Sequence, residues 1–338
     1  MNSLKNIKLY VLNSAEFKFV LVFIITFSLS CKRNRETKLT DFSSYLPIIN
    51  KLSNQGNWEE AIALAEIGMN SDVSKSDRIN LFVILGNNYR FFEEYEIAEQ
   101  NYEKAIEHGK SASLTDNLGE AYYGLGDINY LKWSYFKEEE AIDIAKEYLD
   151  LSMKYAKKNK NLPLESKILY RQGAIYQIQG NKEESKSSFE KGLKISFSIS
   201  DTIGIIRNDI HKAAELEAEG VLDSALFHYS RAYEYATAID RNYSEAHSLC
   251  NLGLFYLDRG NLMKSQEYFI KAKYLAEELN HRIVLCRSYY GLSLVEQELG
   301  NKSEAVKYGI GGLNLAEEKG YMNYQQAFTR LLENLNNN

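Results

Sequence analysis

The sequence has 338 residues, 45% hydrophobic and 25% charged, an ordinary globular composition long enough for two domains or one extended array. Its net charge of -6 argues against general nucleic-acid binding, which needs a basic field. Only 2 prolines, Pro47 and Pro163, interrupt it, so long helices are permitted almost everywhere, and 25 tyrosines supply rings that fill gaps between helices.

Residues 1–30 have the layout of an export signal. Lys5, Lys8 and Lys18 come first, then the apolar run from Phe19 to Phe27, then small residues before Cys31. The apolar run is nine residues, and spanning a bilayer takes about 20. Ser28-Leu29-Ser30-Cys31 resembles the cleavage box of a bacterial lipoprotein signal peptide. The resemblance implies lipidation of Cys31, attachment to a membrane through that lipid, and a place at the bacterial outer membrane on its periplasmic or surface face. Ser28 departs from the family, which has leucine there; Leu29 stands one place late. An inner-membrane anchor and a cytoplasmic chain are the alternatives. Residues 31–41 are rich in basic side chains without apolar periodicity and read as a solvated tether.

From residue 42 the chain repeats itself. Gly180, Gly220, Gly260 and Gly300 recur every 40 residues, each between two amphipathic stretches, with an earlier turn at Gly56 and another at Glu93-Glu94-Tyr95. Glycine suits the left-handed residue that ends a helix. The acids that follow some turns, such as Glu59 and Glu183, suit the positive end of the next helix. Around the turns a second pattern runs. Leu85-Gly86-x-x-Tyr89 precedes Ala98-x-x-x-Tyr102-x-x-Ala105, and Leu252-Gly253-x-x-Tyr256 precedes Ser265-x-x-x-Phe269-x-x-Ala272. Gly173, Tyr176, Ser185, Phe189 and Gly192 repeat it, as do Ala213, Leu216, Ala225, Tyr229 and Ala232. Small residues let two helix axes approach, and the large ring fills the remaining gap.

This pattern resembles the tetratricopeptide repeat family. The resemblance implies an all-α fold: a right-handed superhelical array of antiparallel helix pairs spanning residues 42–335, with about seven repeats and a capping helix at 321–335. The third copy, about 113–159, is irregular. Leu118-Gly119-x-x-Tyr122 begins it normally, but Ala145, Leu149 and Ser152 arrive about 14 residues late. The extra stretch, with Trp133, Tyr135 and Phe136, reads as a lengthened helix or packed loop, or else as an aromatic lip beside a groove. A period of 40 rather than about 34 resembles the longer-helix subgroup found in bacterial peptide sensors and cell-division scaffolds.

Catalytic signatures are missing from the sequence. His108, His211, His228, His247 and His281 form no HExxH, and Gly109-Lys110-Ser111 lacks the earlier glycine of a phosphate loop, having Lys104 instead. Cys250 and Cys286 are expected as buried thiols, with a disulfide between them as the alternative. The chain is therefore read as a non-catalytic protein with no cofactor and no metal.

In the resembling family, positions 2, 5, 9 and 12 of each first helix face a concave groove. Position 2 reads Lys167, Arg207, His247 and Arg287; position 5 reads Tyr170, Ile210, Cys250 and Tyr290. Leu254 stands at position 9 and Leu257 at position 12, and Asn87 and Arg90 are groove candidates of the second copy. The expected partner is an extended or helical protein segment with apolar anchors and acidic character, steered by the basic edge. The bland alternative is that position 2 is charged because it lies near a solvated helix start. The expected function is a lipid-anchored scaffold binding a protein or peptide, with a peptide-sensing regulatory module as the alternative.

Overall fold

The computed structural model describes residues 42–115 and 117–337. The signal segment, Cys31 and the tether lie outside the described residues. A short 3-10 turn at Phe42–Tyr45 leads into a right-handed array of helix pairs. The pairs are α1 (Leu46–Gln55) with α2 (Trp58–Met69), α3 (Lys75–Phe91) with α4 (Tyr95–Ser111), and α5 (Leu118–Leu131) with α6 (Ala141–Lys158). They continue as α7 (Leu162–Ile178) with α8 (Lys182–Ser198), and α9 (Thr202–Ala218) with α10 (Leu222–Ala238). The last two are α11 (Asn242–Leu257) with α12 (Leu262–Glu278), and α13 (Arg282–Glu298) with α14 (Lys302–Lys319), before α15 (Met322–Asn337) caps the array.

The period has a local cause. From α7 onward most helices have 17 residues and are joined by three-residue turns, so the chain reverses every 20 residues. Each reversal passes through one left-handed residue. Lys160, Ser200, Asp240 and Asn280 alternate with Gly180, Gly220, Gly260 and Gly300 in that role. At each, the next amide bonds back across the helix end, as Asn181 N does to Tyr176 O at 2.9 Å and Asp201 N to Ser196 O at 2.9 Å, which satisfies carbonyls the helix leaves free. Only the glycine half of this series stands out in the sequence.

Packing follows the small-residue pattern. The Phe269 ring, fully buried, lies between α11 and α13: a Cβ at Gly253 would stand 2.9 Å from it, and one at Gly291 closer still. Tyr102 wedges in the same way against Gly86 and Gly124. Where serine takes a small position its hydroxyl donates to a carbonyl of the paired helix, as Ser185 does to Gly173 O at 2.9 Å and Ser265 to Gly253 O at 2.8 Å. In the third pair the inserted length becomes a π-helical turn, Lys132–Phe136, that prolongs α5.

An array of repeats ordinarily touches only its neighbours. This one meets itself. Arg241 Nη1 donates to Asn54 Oδ1 at 2.7 Å across 187 residues. Trp58 and Phe91 pack edge-on against Tyr243, with ring centroids 5.9 and 5.0 Å apart. Tyr135 and Phe136 of the π turn pack on Tyr324 and Tyr321 of the cap. The inserted aromatics are thus packed between the third pair and the cap, and Tyr135 also reaches the central space.

Two glycine substitutions separate packing from propensity. Gly291→Ala places a methyl inside the Phe269 ring and should cost about 1–3 kcal/mol in urea unfolding. Gly311→Ala, where the new Cβ meets only Tyr289 at 3.7 Å, should instead stabilise by about 0.5–1 kcal/mol through helix propensity. Equal effects of the same sign would contradict the wedge.

Candidate functional site

Because the array closes, its first helices surround one central cavity of about 600 Å³. All seven first helices contribute lining residues, from Asn54 on α1 to Arg287 on α13. The walls hold six tyrosines (Tyr123, Tyr130, Tyr135, Tyr170, Tyr229 and Tyr243) and an apolar strip along α9 made by Ile203, Ile206 and Ile210. Spacings of three and four residues put those isoleucines on one helix face.

The charged lining is unequal. Arg90, Lys167, Arg171, Arg207, Arg241 and Arg287 face two carboxylates, Glu120 and Asp127. Asp127, only 2% exposed, sits between Arg90 and Arg171 in direct ion-pair contact with both. Burial works against its charge, but the two guanidiniums outweigh that and hold its carboxyl below the usual range. Lys167 Nζ pairs with Glu120 at 3.0 Å. Among the described residues, Arg207, Arg241 and Arg287 have no carboxylate ion-pair partner. Arg287 donates to Asn251 Oδ1 at 2.7 Å and approaches His247 Nδ1 at 3.3 Å. Arg241 uses Asn54 and Ser244. Arg207 lies 5.4 Å from the Tyr170 ring centroid, and its buried Nη1 has no hydrogen-bond partner. Burial, reinforced by Arg207, pushes the Arg241 guanidinium down to about 10.

A hydrogen-bonded chain leads from this cavity to the closure. His247 Nε2 and His281 Nε2 are 3.0 Å apart, and His281 Nδ1 lies 3.0 Å from Glu93 Oε1. Since the carboxylate can only accept, His281 carries its proton on Nδ1 and accepts on Nε2 from His247, whose Nδ1 accepts from Arg287. Glu93 also accepts from Ile283 N at 3.2 Å and from the Tyr321 hydroxyl at 2.5 Å. Burial alone would raise Glu93; the His281, Tyr321 and Ile283 donors reverse this and lower it. Glu93 has φ 66°, the left-handed place that glycine fills in other pairs. A carboxylate there incurs backbone strain of about 1–2 kcal/mol, which its three donors offset.

The structure brings Asn87, Arg90, Lys167, Tyr170, Arg207, Ile210, His247 and Arg287 to the wall of this one cavity. Three candidates go elsewhere. Leu254 and Leu257 pack on the Phe269, Leu292 and Val295 cluster, and Tyr290 packs edge-on against Phe328, 5.6 Å between centroids. In these last repeats position 2 still lines the cavity, at His247 and Arg287, while these three side chains fill spaces between helices. The basic edge is also corrected at one rung: burial, then His281 and Arg287, push His247 well below 6.5, so it is neutral. Cys250 and Cys286 are free, buried thiols. Sequence reasoning missed Asp127, Arg171 and Arg241. A buried acid flanked by basic residues one repeat away on each side leaves no periodic mark, although a glutamate at a glycine position, Glu93, was a readable signal.

Tetratricopeptide repeat models match residues 166–198 and 244–318. No curated protein matches the chain. Among solved structures, the fold is similar to that of a Rap protein complexed with Competence and Sporulation Factor, with 16% identity, 87% of this chain and 85% of that one covered, and a TM-score of 0.62. It is also similar to a Signal Transduction ATPase with Numerous Domains from Pyrococcus horikoshii that has a tetratricopeptide repeat sensor, at 18% identity and a TM-score of 0.56, covering 87% of this chain and 42% of that one. The apo form of RapI follows with 17% identity, 77% and 92% coverage and a TM-score of 0.51. At these identities the likeness is one of fold.

Neutral buried histidines set a pH dependence. His211 stacks on Phe189 at 4.3 Å, and burial, then Arg171, push it down to about 3. Its folded value lies below its unfolded one, so its contribution is intact above about 6.5 and is lost as pH falls toward 3. His247 acts in the same direction. Between pH 6 and 5 each should remove up to about 1.4 kcal/mol of unfolding free energy. In His211→Phe that fall should be smaller by the share of one histidine; an unchanged slope in urea midpoints would contradict a neutral buried His211.

Proposed function

We propose that the protein is a non-catalytic peptide-binding module whose central cavity receives a short protein or peptide segment. The observation that carries this reading is the convergence of all seven first helices on one cavity of about 600 Å³. That volume is in the range of small-ligand sites, about 300–1,000 Å³. The Rap protein named above was crystallised with Competence and Sporulation Factor, which supports ligand holding by an array of this build.

The proposal includes an address. Cys31 follows an apolar run and small residues, and its lipidation would tether the array to the bacterial envelope. Metabolic labelling with a fatty-acid analogue should mark the wild type and not Cys31→Ala; equal labelling of both would remove the anchor from the reading.

Ala214 lines the cavity, and Ala214→Trp fills part of it. The purified full chain should retain peptides from the low-molecular-mass fraction of a cell extract, identified by mass spectrometry. Ala214→Trp, with unchanged helicity, should retain at least tenfold less. Retention that is indifferent to this substitution would place the binding site outside the cavity.

A further inference from the structure

Several partly buried arginines, inside the cavity and outside it, are matched to acids. Arg231 meets Asp209 at 2.6 Å, Arg259 meets Glu217 at 2.8 Å, and Arg90 and Arg171 share Asp127. Arg78 and Arg282 bond to backbone carbonyls instead. Arg207, Arg241 and Arg287, which make no ion pair among the described residues, all line the cavity. Arg241 is 9% exposed, and the Arg207 Nη1 donor is buried and unused. A buried guanidinium without a counter-charge is costly, because its charge has lost water and gained no acid. Three around one space, in a chain of net charge -6, concentrate a positive field where the protein as a whole is negative. Neutral partners already orient two of them: Asn54 and Ser244 hold Arg241, and Asn251 holds Arg287. They are therefore fixed in place with donors to spare. Beside Arg207 runs the strip of Ile203, Ile206 and Ile210.

We infer that the cavity is built for an acidic ligand: a short peptide with at least two carboxylates, bound by Arg207, Arg241 and Arg287, and an apolar side chain laid on the α9 isoleucines. This rests on the peptide-binding reading and specifies its ligand. The carboxylates come from acidic side chains or from a free C-terminus, and guanidinium recognises either as a two-pronged acceptor. Arg207 makes no ion pair or hydrogen bond among the described residues; Asp127 feels its charge only as a weaker influence behind Arg171 and Arg90, which leaves its guanidinium donors for a ligand.

The test uses the full chain and three probes: the tetrapeptide Glu-Leu-Glu-Leu with a free C-terminus, its C-terminal amide, and citrate. Thermal unfolding and titration calorimetry are read against sodium chloride of equal ionic strength, with Lys-Leu-Lys-Leu amide as the control. The acidic tetrapeptide should raise Tm by several degrees and the basic one should not. Arg207→Met keeps the apolar stem and should weaken acidic-peptide binding at least tenfold, while leaving the Tm of the ligand-free protein equal or higher, because a repelled charge has been removed. Arg207→Lys should restore most of the response. An amide that binds as tightly as the free acid assigns the contact to side-chain carboxylates; a weaker amide assigns it to the C-terminus; both support the inference. It is overturned if neither the acidic peptides nor citrate exceed the salt control, or if Arg207→Met lowers the ligand-free Tm and leaves binding intact. Citrate binding that depends on Arg207 without any peptide binding would keep the anion site and remove the peptide reading. Peptide retention that ignores Arg207 but responds to Ala214→Trp would do the reverse.

Discussion

Glu93 accepts hydrogen bonds from His281, Tyr321 and the Ile283 amide, groups that lie 188 or more residues further along the chain. With the Arg241–Asn54 bond and the packing of Trp58 and Phe91 on Tyr243, those bonds hold the early repeats against the last ones, and the rest of the molecule depends on that. Without them the first helices would line a groove open to water on one side. With them, the same side chains wall a small space. Coulomb attraction and hydrogen bonding in that space act in a lower dielectric than on an open face, so each charged pair and each missing pair matters more. The Asp127 ion pairs and the unmatched arginines are both consequences of that enclosure.

Closure also joins the two ends to the centre. His247 and His281 connect Glu93 to Arg287 through fixed tautomers, so the seam and the cavity wall share one hydrogen-bonded chain. The aromatic packing around it, Trp58, Phe91 and Tyr243, keeps water from competing for those bonds. Histidine suits this place because the neutral ring both donates and accepts, which neither lysine nor arginine does.

Much of the architecture was legible from periodicity. The glycines at 180, 220, 260 and 300, and the rings at Tyr102, Phe189, Tyr229 and Phe269, specify helix pairs and their spacing because both obey local rules. Half of the turns were not legible: Lys160, Ser200, Asp240 and Asn280 adopt the same left-handed backbone without being glycine. The candidate site was legible where it inherited the repeat, at Lys167, Arg207 and Arg287. It was opaque where it did not. Arg241 sits in a turn, and its neighbour Asn54 belongs to the opposite end of the chain. Leu254, Leu257 and Tyr290 obey the periodic rule and still leave the cavity, because apolar side chains at those positions find buried partners in Phe269, Leu292, Val295 and Phe328.

The 20-residue reversal has a consequence for how such a chain can change over time. An open solenoid tolerates gain or loss of a repeat, because each unit needs only its neighbours. Here each repeat also contributes a fixed rotation to a circuit that must return to its start. One extra pair between Glu93 and His281 would carry His281 and Tyr321 past Glu93, and one fewer would leave them short. The seam therefore counts the repeats that lie between its two sides, and duplication, the ordinary route by which repeat proteins diversify, is closed within that stretch unless the seam moves with it.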